Sequence, residues 1–182
     1  MIRTLDFLFA LFGLMLFSPI LLVIYVIGLF DTGSPLFSQV RVGKDKKEFV
    51  LVKFRTMTVD TKSVATHLAS SNSITKLGKF LRKSKLDELP QLWNVLRGEM
   101  SIVGPRPGLF SQIELTEERE KLDIYSVRPG ITGLAQVSEI DMSTPKLLAT
   151  TDKKMIESMS LKKYFKYIFL TVVGNGQGDR VK

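Results

Sequence analysis

The chain opens on an unbroken apolar run. From Phe7 to Phe30 there is no charged residue, and Asp6 and Asp31 bracket the stretch. A helix over it would reach about 36 Å, against a bilayer hydrocarbon core of roughly 30 Å. It reads as a membrane helix and not a cleaved signal peptide, because its basic start is weak and no small-residue cleavage site follows. Ser18-Pro19 lies near the middle, where proline removes a backbone hydrogen bond and bends a helix. A kink alone leaves a single span and a re-entrant turn both open. Arg3 precedes the run and a basic domain follows it. A single span would place these on opposite faces of the membrane, whereas a helix-break-helix places both on one face, in keeping with the positive-inside rule.

The pattern then changes period. Weak alternation over Pro35–Val42, a polar turn at Gly43–Lys47 and a β-branched, aromatic run over Glu48–Phe54 predict a small β-hairpin. Asp60–Ser73 is polar and rich in small residues, a loop or short helix of the kind that closes over a site. Ile74–Lys83 predicts a short basic helix with Leu77, Phe80 and Leu81 as its apolar stripe. Leu89, Leu92, Trp93 and Leu96 fall on one helix face, which Gly98 ends. Ser101–Pro107 is strand-like and runs into Gly-Pro-Arg-Pro; Ser111–Asp123 predicts a charged helix. Leu161–Val173 mixes Lys162, Lys163 and Lys166 with aromatics, which fits an amphipathic helix at a membrane interface or a core helix with a basic face. The expected fold class is α+β and mainly helical.

Composition narrows the chemistry. Twenty-six basic against 18 acidic residues give a net charge of +8, which suits anionic lipid, nucleic acid or phosphorylated substrates, and the neighbouring apolar run favours lipid over nucleic acid. Cysteine is absent and His67 is the only histidine, so cysteine-ligated and histidine-based metal sites are excluded. A length of 182 residues suits one domain beside a membrane element.

The candidate chemistry sits at the adjacent pair Asp87-Glu88, followed by Pro90. With Asp87 at or next to a helix N-cap, the helix dipole and the orphan N–H groups would favour its ionised form. Lys76, Lys79, Arg82, Lys83 and Lys85 lie upstream, and Arg106 lies downstream between Pro105 and Pro107. Those prolines stiffen the mount of a guanidinium suited to bidentate capture of phosphate or carboxylate. Acids at a helix start are more often caps than reactive groups, so the pair alone decides nothing.

The wider string does. RKSKLDELPQLWNVLRGEMSIVGPRP over Arg82–Pro107 resembles the signature of the bacterial monotopic phosphoglycosyl transferases, with Lys85 where many relatives carry a small or apolar residue. Lys53-Phe54-Arg55-Thr56-Met57, Gly78-Lys79-Phe80-Leu81-Arg82, and the run from Val127-Arg128-Pro129-Gly130 to Val137 match the same family, as does the apolar segment with Ser18-Pro19. The resemblance implies a re-entrant membrane hairpin over residues 1–31, broken at Ser18 and Pro19, and a catalytic domain over 32–182 on the cytosolic face of the bacterial inner membrane. It implies transfer of a sugar 1-phosphate from a UDP-sugar to a polyprenyl phosphate, with release of UMP, as a first membrane step of glycan assembly. Asp87 would be the nucleophile, Glu88 a Mg²⁺ ligand, and Arg82, Arg106, Arg128, Lys53 and Arg55 phosphate contacts. Anionic lipids, later glycosyltransferases and a second copy of the chain are the expected partners. After Val137 the match loosens, and Tyr164 stands where relatives commonly carry an acid. The competing readings are a lipid-diphosphate or nucleotide-sugar hydrolase and a non-enzymatic, membrane-anchored basic adaptor.

Overall fold

The computed structural model describes residues 1–61 and 73–174. The elements run α1 (Ile2–Thr32), β1 (Leu36–Val42), β2 (Glu48–Phe54), α2 (Lys76–Ser84), α3 (Gln91–Leu96), β3 (Ser101–Val103), α4 (Ile113–Lys121), β4 (Gly130–Thr132), α5 (Leu134–Val137), α6 (Pro145–Glu157) and α7 (Leu161–Val172). The fold is mainly helical, with two small sheets. The expected loop over Asp60–Ser73, with His67, lies largely outside the described residues.

The apolar run forms one helix, with Pro19 inside it. Where a break between two helices was expected, hydrogen bonding carries across the proline, for a local reason. Pro19 has no N–H for the Met15 carbonyl, four residues back. The Ser18 hydroxyl donates to that carbonyl at 2.8 Å instead, so no carbonyl is orphaned in an apolar setting, where that costs several kcal/mol.

α1 lies along the rest of the protein. Its inward residues recur at helical spacing: Asp6, Ala10, Ile24 and Gly28 are buried. Ala10 joins Phe49, Leu51, Val95 and Met100 in one core cluster. Ile24 joins Phe54 and Leu81 in a second. Ile2 and Leu5 pack on a third, around Val103, Met155, Tyr164 and Tyr167. Near the start of the helix Asp6 is fully paired, accepting from the Ser101 hydroxyl at 2.9 Å, the Ile102 N–H at 3.0 Å and the Tyr164 hydroxyl at 2.9 Å. The opposite face of α1 is exposed and apolar, from Phe7 to Phe30. α7 extends that surface: Tyr164 and Tyr167 point into the core, Phe165 and Phe169 point out, and Phe165 meets Phe9 edge-to-face at 6.0 Å.

β1 and β2 form the expected antiparallel hairpin, with Val40 opposite Val50. The free edge of β2 is covered by a side chain instead of a strand. Asn94 of α3 accepts the Val52 N–H at 3.2 Å and donates to the Val50 carbonyl at 2.7 Å. Asn94→Ala is expected to cost about 2–3 kcal/mol, because it leaves two backbone groups unpaired under α3. Denaturant titration of the detergent-solubilised protein measures this, and an unchanged midpoint would show that the edge needs no cover.

β3 pairs in parallel with β4, Ser101 opposite Gly130 and Val103 opposite Thr132. This sheet brings the Gly-Pro-Arg-Pro and Arg-Pro-Gly segments together. A Cβ on Gly130 would lie 2.0 Å from the Gly104 nitrogen, so glycine is required there by contact.

Candidate functional site

The acid pair stands between α2 and α3. Thr75 caps α2 by accepting the Gly78 N–H at 2.9 Å. Lys85 ends that helix in the left-handed conformation, and the chain turns directly into a 3₁₀ turn over Leu86–Glu88. Pro90 occupies the N-cap position of α3, and no side chain caps that helix. The N-cap placement expected for Asp87 is therefore corrected: the residue lies inside the 3₁₀ turn, three positions before Pro90.

Its electrostatics change accordingly. Asp87 is buried, and its pKa is raised from 3.8 to about 6, first by burial and then by the negative charge of Glu88. Lys53, Arg82 and Arg106 pull it back down. The ionised form is thus disfavoured, contrary to expectation, yet it still predominates at neutral pH. The result is a carboxylate more basic than an ordinary aspartate and held amid cations, a combination suited to nucleophilic attack on phosphorus.

Of the predicted phosphate contacts, the structure gathers Lys53, Arg82 and Arg106 around the pair. Arg106 Nη2 donates to Glu88 Oε1 at 3.0 Å. Arg82 Nε donates to the Thr56 hydroxyl at 2.9 Å. Lys53 lies 5.6 Å from the centre of the Phe37 ring. Arg55 lies over the same ring, at 5.5 Å, and both it and Arg128 bind backbone carbonyls. Arg55 Nε donates to the Ser34 carbonyl at 2.7 Å, and Arg128 Nε donates to the Gly98 carbonyl at 2.7 Å. Together with Arg3, which reaches the Leu96 and Met100 carbonyls at 3.4 Å, Arg128 satisfies the C-terminal end of α3, where cations are favoured.

The Arg106 loop is held through its own carbonyls. Gly130 N–H donates to the Pro105 carbonyl at 2.8 Å, and Val42 N–H donates to the Gly108 carbonyl at 3.0 Å. Between these, Arg119 Nη1 donates to the Arg106 carbonyl at 2.8 Å and Arg41 Nη1 donates to the Pro107 carbonyl at 3.0 Å. Arg41 and Arg119 are both buried. Arg119 is in turn gripped by Asp152 of α6, whose Oδ2 accepts from Nε at 3.1 Å and Nη2 at 2.7 Å. Every carbonyl from Pro105 to Gly108 is therefore occupied, and the Arg106 side chain projects from a fixed backbone.

Among the described residues no group of three or more His, Cys, Asp or Glu side chains could hold a metal ion. Adjacent carboxylates such as Asp87 and Glu88 are the kind of donor that a hard cation such as Mg²⁺ takes, one or two at a time, with water and substrate phosphate completing its shell.

The family model for bacterial sugar transferase matches residues 1–176. The chain is 36% identical to the UDP-galactose-lipid carrier transferase of Erwinia amylovora, over 93% of this chain and 39% of that protein. It is 43% identical to the UDP-glucose:undecaprenyl-phosphate glucose-1-phosphate transferase of Klebsiella pneumoniae, over 87% of this chain and 36% of that protein. It is 35% identical to the exopolysaccharide production protein ExoY of Rhizobium meliloti, over 93% of this chain and 83% of that protein. The chain thus spans well under half of the first two relatives.

Proposed function

The chain belongs to the bacterial sugar transferase family, and we propose that it transfers a sugar 1-phosphate from a UDP-sugar to a polyprenyl phosphate such as undecaprenyl phosphate, opening the membrane stage of glycan assembly. The observation that carries the reading is the buried, basic Asp87 carboxylate beside Glu88 and ringed by Lys53, Arg82 and Arg106. Asp87 attacks the sugar-side phosphorus of the donor. A bond forms from its carboxylate oxygen to phosphorus as the bond to the UMP oxygen breaks, and UMP leaves. An oxygen of the polyprenyl phosphate then attacks the same phosphorus, and the carboxylate departs, which frees polyprenyl-diphospho-sugar. Splitting the transfer lets a soluble donor and a lipid acceptor use one nucleophile in turn. Arg106 and Arg82 stabilise charge on the phosphoryl oxygens. Glu88, with Asp87, would hold Mg²⁺, which when bound supplies charge neutralisation to the diphosphate.

The same reading places the reaction at the headgroup plane of the bacterial inner membrane, on its cytosolic face. Both ends of α1 pack on the one domain, through Asp6 and through Ile24 and Gly28. A perpendicular span would drag that domain into the hydrocarbon. A helix bent at Ser18-Pro19, with its outer face in lipid, keeps Arg3 and the basic domain on one side. Tags at the N-terminus and the C-terminus are expected to be protease-accessible from the cytosolic side alone. Digestion of the N-terminal tag from the periplasmic side would end the re-entrant topology.

The activity is tested by incubating the detergent-solubilised protein with a panel of UDP-sugars and weighing it intact. An adduct of one phosphosugar, discharged on addition of undecaprenyl phosphate to give a lipid-linked sugar, is the expected result. Free sugar phosphate with no lipid product would assign hydrolysis instead.

A further inference from the structure

Lys85 joins α2 to the turn that carries the acid pair, and its backbone suits another residue. It sits at φ 57° and ψ 16°, a conformation that glycine and asparagine adopt readily and lysine does not. The turn requires that geometry. The Lys85 N–H bonds back to the carbonyls of Arg82 and Leu81, and the Lys85 carbonyl accepts the Glu88 N–H at 3.2 Å. The side chain is part-buried, with Glu88, Asp87 and Arg106 as its charged neighbours. The backbone therefore disfavours lysine here. What lysine adds is a cation in the neighbourhood of Asp87, Glu88 and Arg106. Among the described residues Asp45, Lys46, Asp123 and Glu139 share this left-handed backbone; Lys85 is set apart by its place two residues before Asp87.

Charge balance points the same way. Around Asp87 and Glu88 stand Lys53, Arg82, Lys85 and Arg106, four cations against two acids. Such a cationic setting suits the anionic diphosphate of a nucleotide sugar. We propose that Lys85 is a donor-binding residue whose ammonium binds the diphosphate oxygens of the nucleotide-sugar donor, and the phosphate of the nucleotide that leaves. The proposal rests on the reading of the site as a UDP-sugar transferase site. In that role Lys85 strengthens capture of the soluble donor and contributes little to the lipid acceptor, which needs no nucleotide phosphate contact.

The test compares full-length Lys85→Gly, Lys85→Met and Lys85→Arg with the parent, reading UMP binding by calorimetry, donor KM and kcat, acceptor KM and melting temperature. Loss of one charge-assisted contact is expected to weaken UMP binding and raise donor KM about tenfold in the Gly and Met variants, with the loss falling on KM more than on kcat and acceptor KM unmoved. Arginine is expected to restore most of the binding. Glycine is expected to raise the melting temperature, because it relaxes the left-handed turn. Unchanged UMP affinity in the Gly and Met variants, or a lowered melting temperature in the Gly variant, would overturn the proposal and leave Lys85 a structural cation. Parent protein that binds UMP but forms no phosphosugar adduct would instead overturn the transferase reading, with the UMP comparison still deciding Lys85.

Discussion

Asp87→Asn is expected to abolish UMP release and the covalent adduct while making the protein more stable. The amide cannot form the bond to phosphorus, so turnover should fall on the order of 10³-fold or more. The stability gain follows from the raised pKa. The folded carboxyl titrates near 6 and the unfolded one near 3.8. Its contribution to stability is complete below the unfolded value and is lost as pH rises through the folded one. At pH 7–8 the native state thus carries a penalty of up to about 3 kcal/mol for holding this charge, and asparagine removes it. Thermal melts should show the variant several degrees above the parent at pH 8, with the difference closing by pH 4. In the parent, kcat/KM for the donor should fall about tenfold per unit below pH 6, as the nucleophile protonates. Equal melting temperatures at pH 8, together with a rate flat to pH 5, would show that the aspartate is neither desolvated nor the nucleophile.

The placement of that carboxylate marks where sequence reasoning reached and where it stopped. Local rules located the hairpin, because Glu48–Phe54 alternates and Gly43–Lys47 turns. They located α2 and the end of α3, because Gly98 adopts the positive φ that stops a helix. They misplaced Asp87, because the pattern from Leu89 onward shows only that a helix follows. It does not show that a left-handed Lys85 will insert a 3₁₀ turn and bury the acid. β4 was invisible for a different reason. Three residues, Gly130–Thr132, carry no period, and their strand character comes from Ser101–Val103, distant in sequence. Arg119 lies in a run of charged residues, within the helix expected over Ser111–Asp123. Only the packing of α4 on α6 reveals that it is buried against Asp152. The resemblance, by contrast, named Asp87, Glu88, Arg82, Arg106, Arg128, Lys53 and Arg55 without seeing their geometry. Arg55 and Arg128 belong to the same motifs, yet both are bound to backbone carbonyls. Within the same motifs, then, some cations gather at the acid pair and others bind backbone carbonyls.

Asp152→Ala is expected to have the largest effect on stability. Asp152 and Arg119 are both buried, and burial pushes the Asp152 carboxyl up against the pull of the guanidinium. Removing the acid strands a cation in the core, at a cost of about 3–5 kcal/mol. Loss of activity in that variant alone would say little, since unfolding explains it. The informative variant is the double replacement Arg119→Met with Asp152→Leu. Exchanging a buried ion pair for apolar side chains of similar volume is often neutral or stabilising, so the double variant is expected to melt well above Asp152→Ala, short of the parent by about 1–2 kcal/mol for the Arg106 carbonyl left without its donor. It still lacks the bond from Arg119 to the Arg106 carbonyl, present at 2.8 Å in the parent. If that bond holds Arg106 toward the reacting phosphoryl group, kcat should fall about tenfold, since small misplacements of a catalytic group are costly, while UMP affinity, which Lys85 serves, changes little. A double variant with parental stability and parental kcat would show that the proline-flanked loop holds its arginine without help from below.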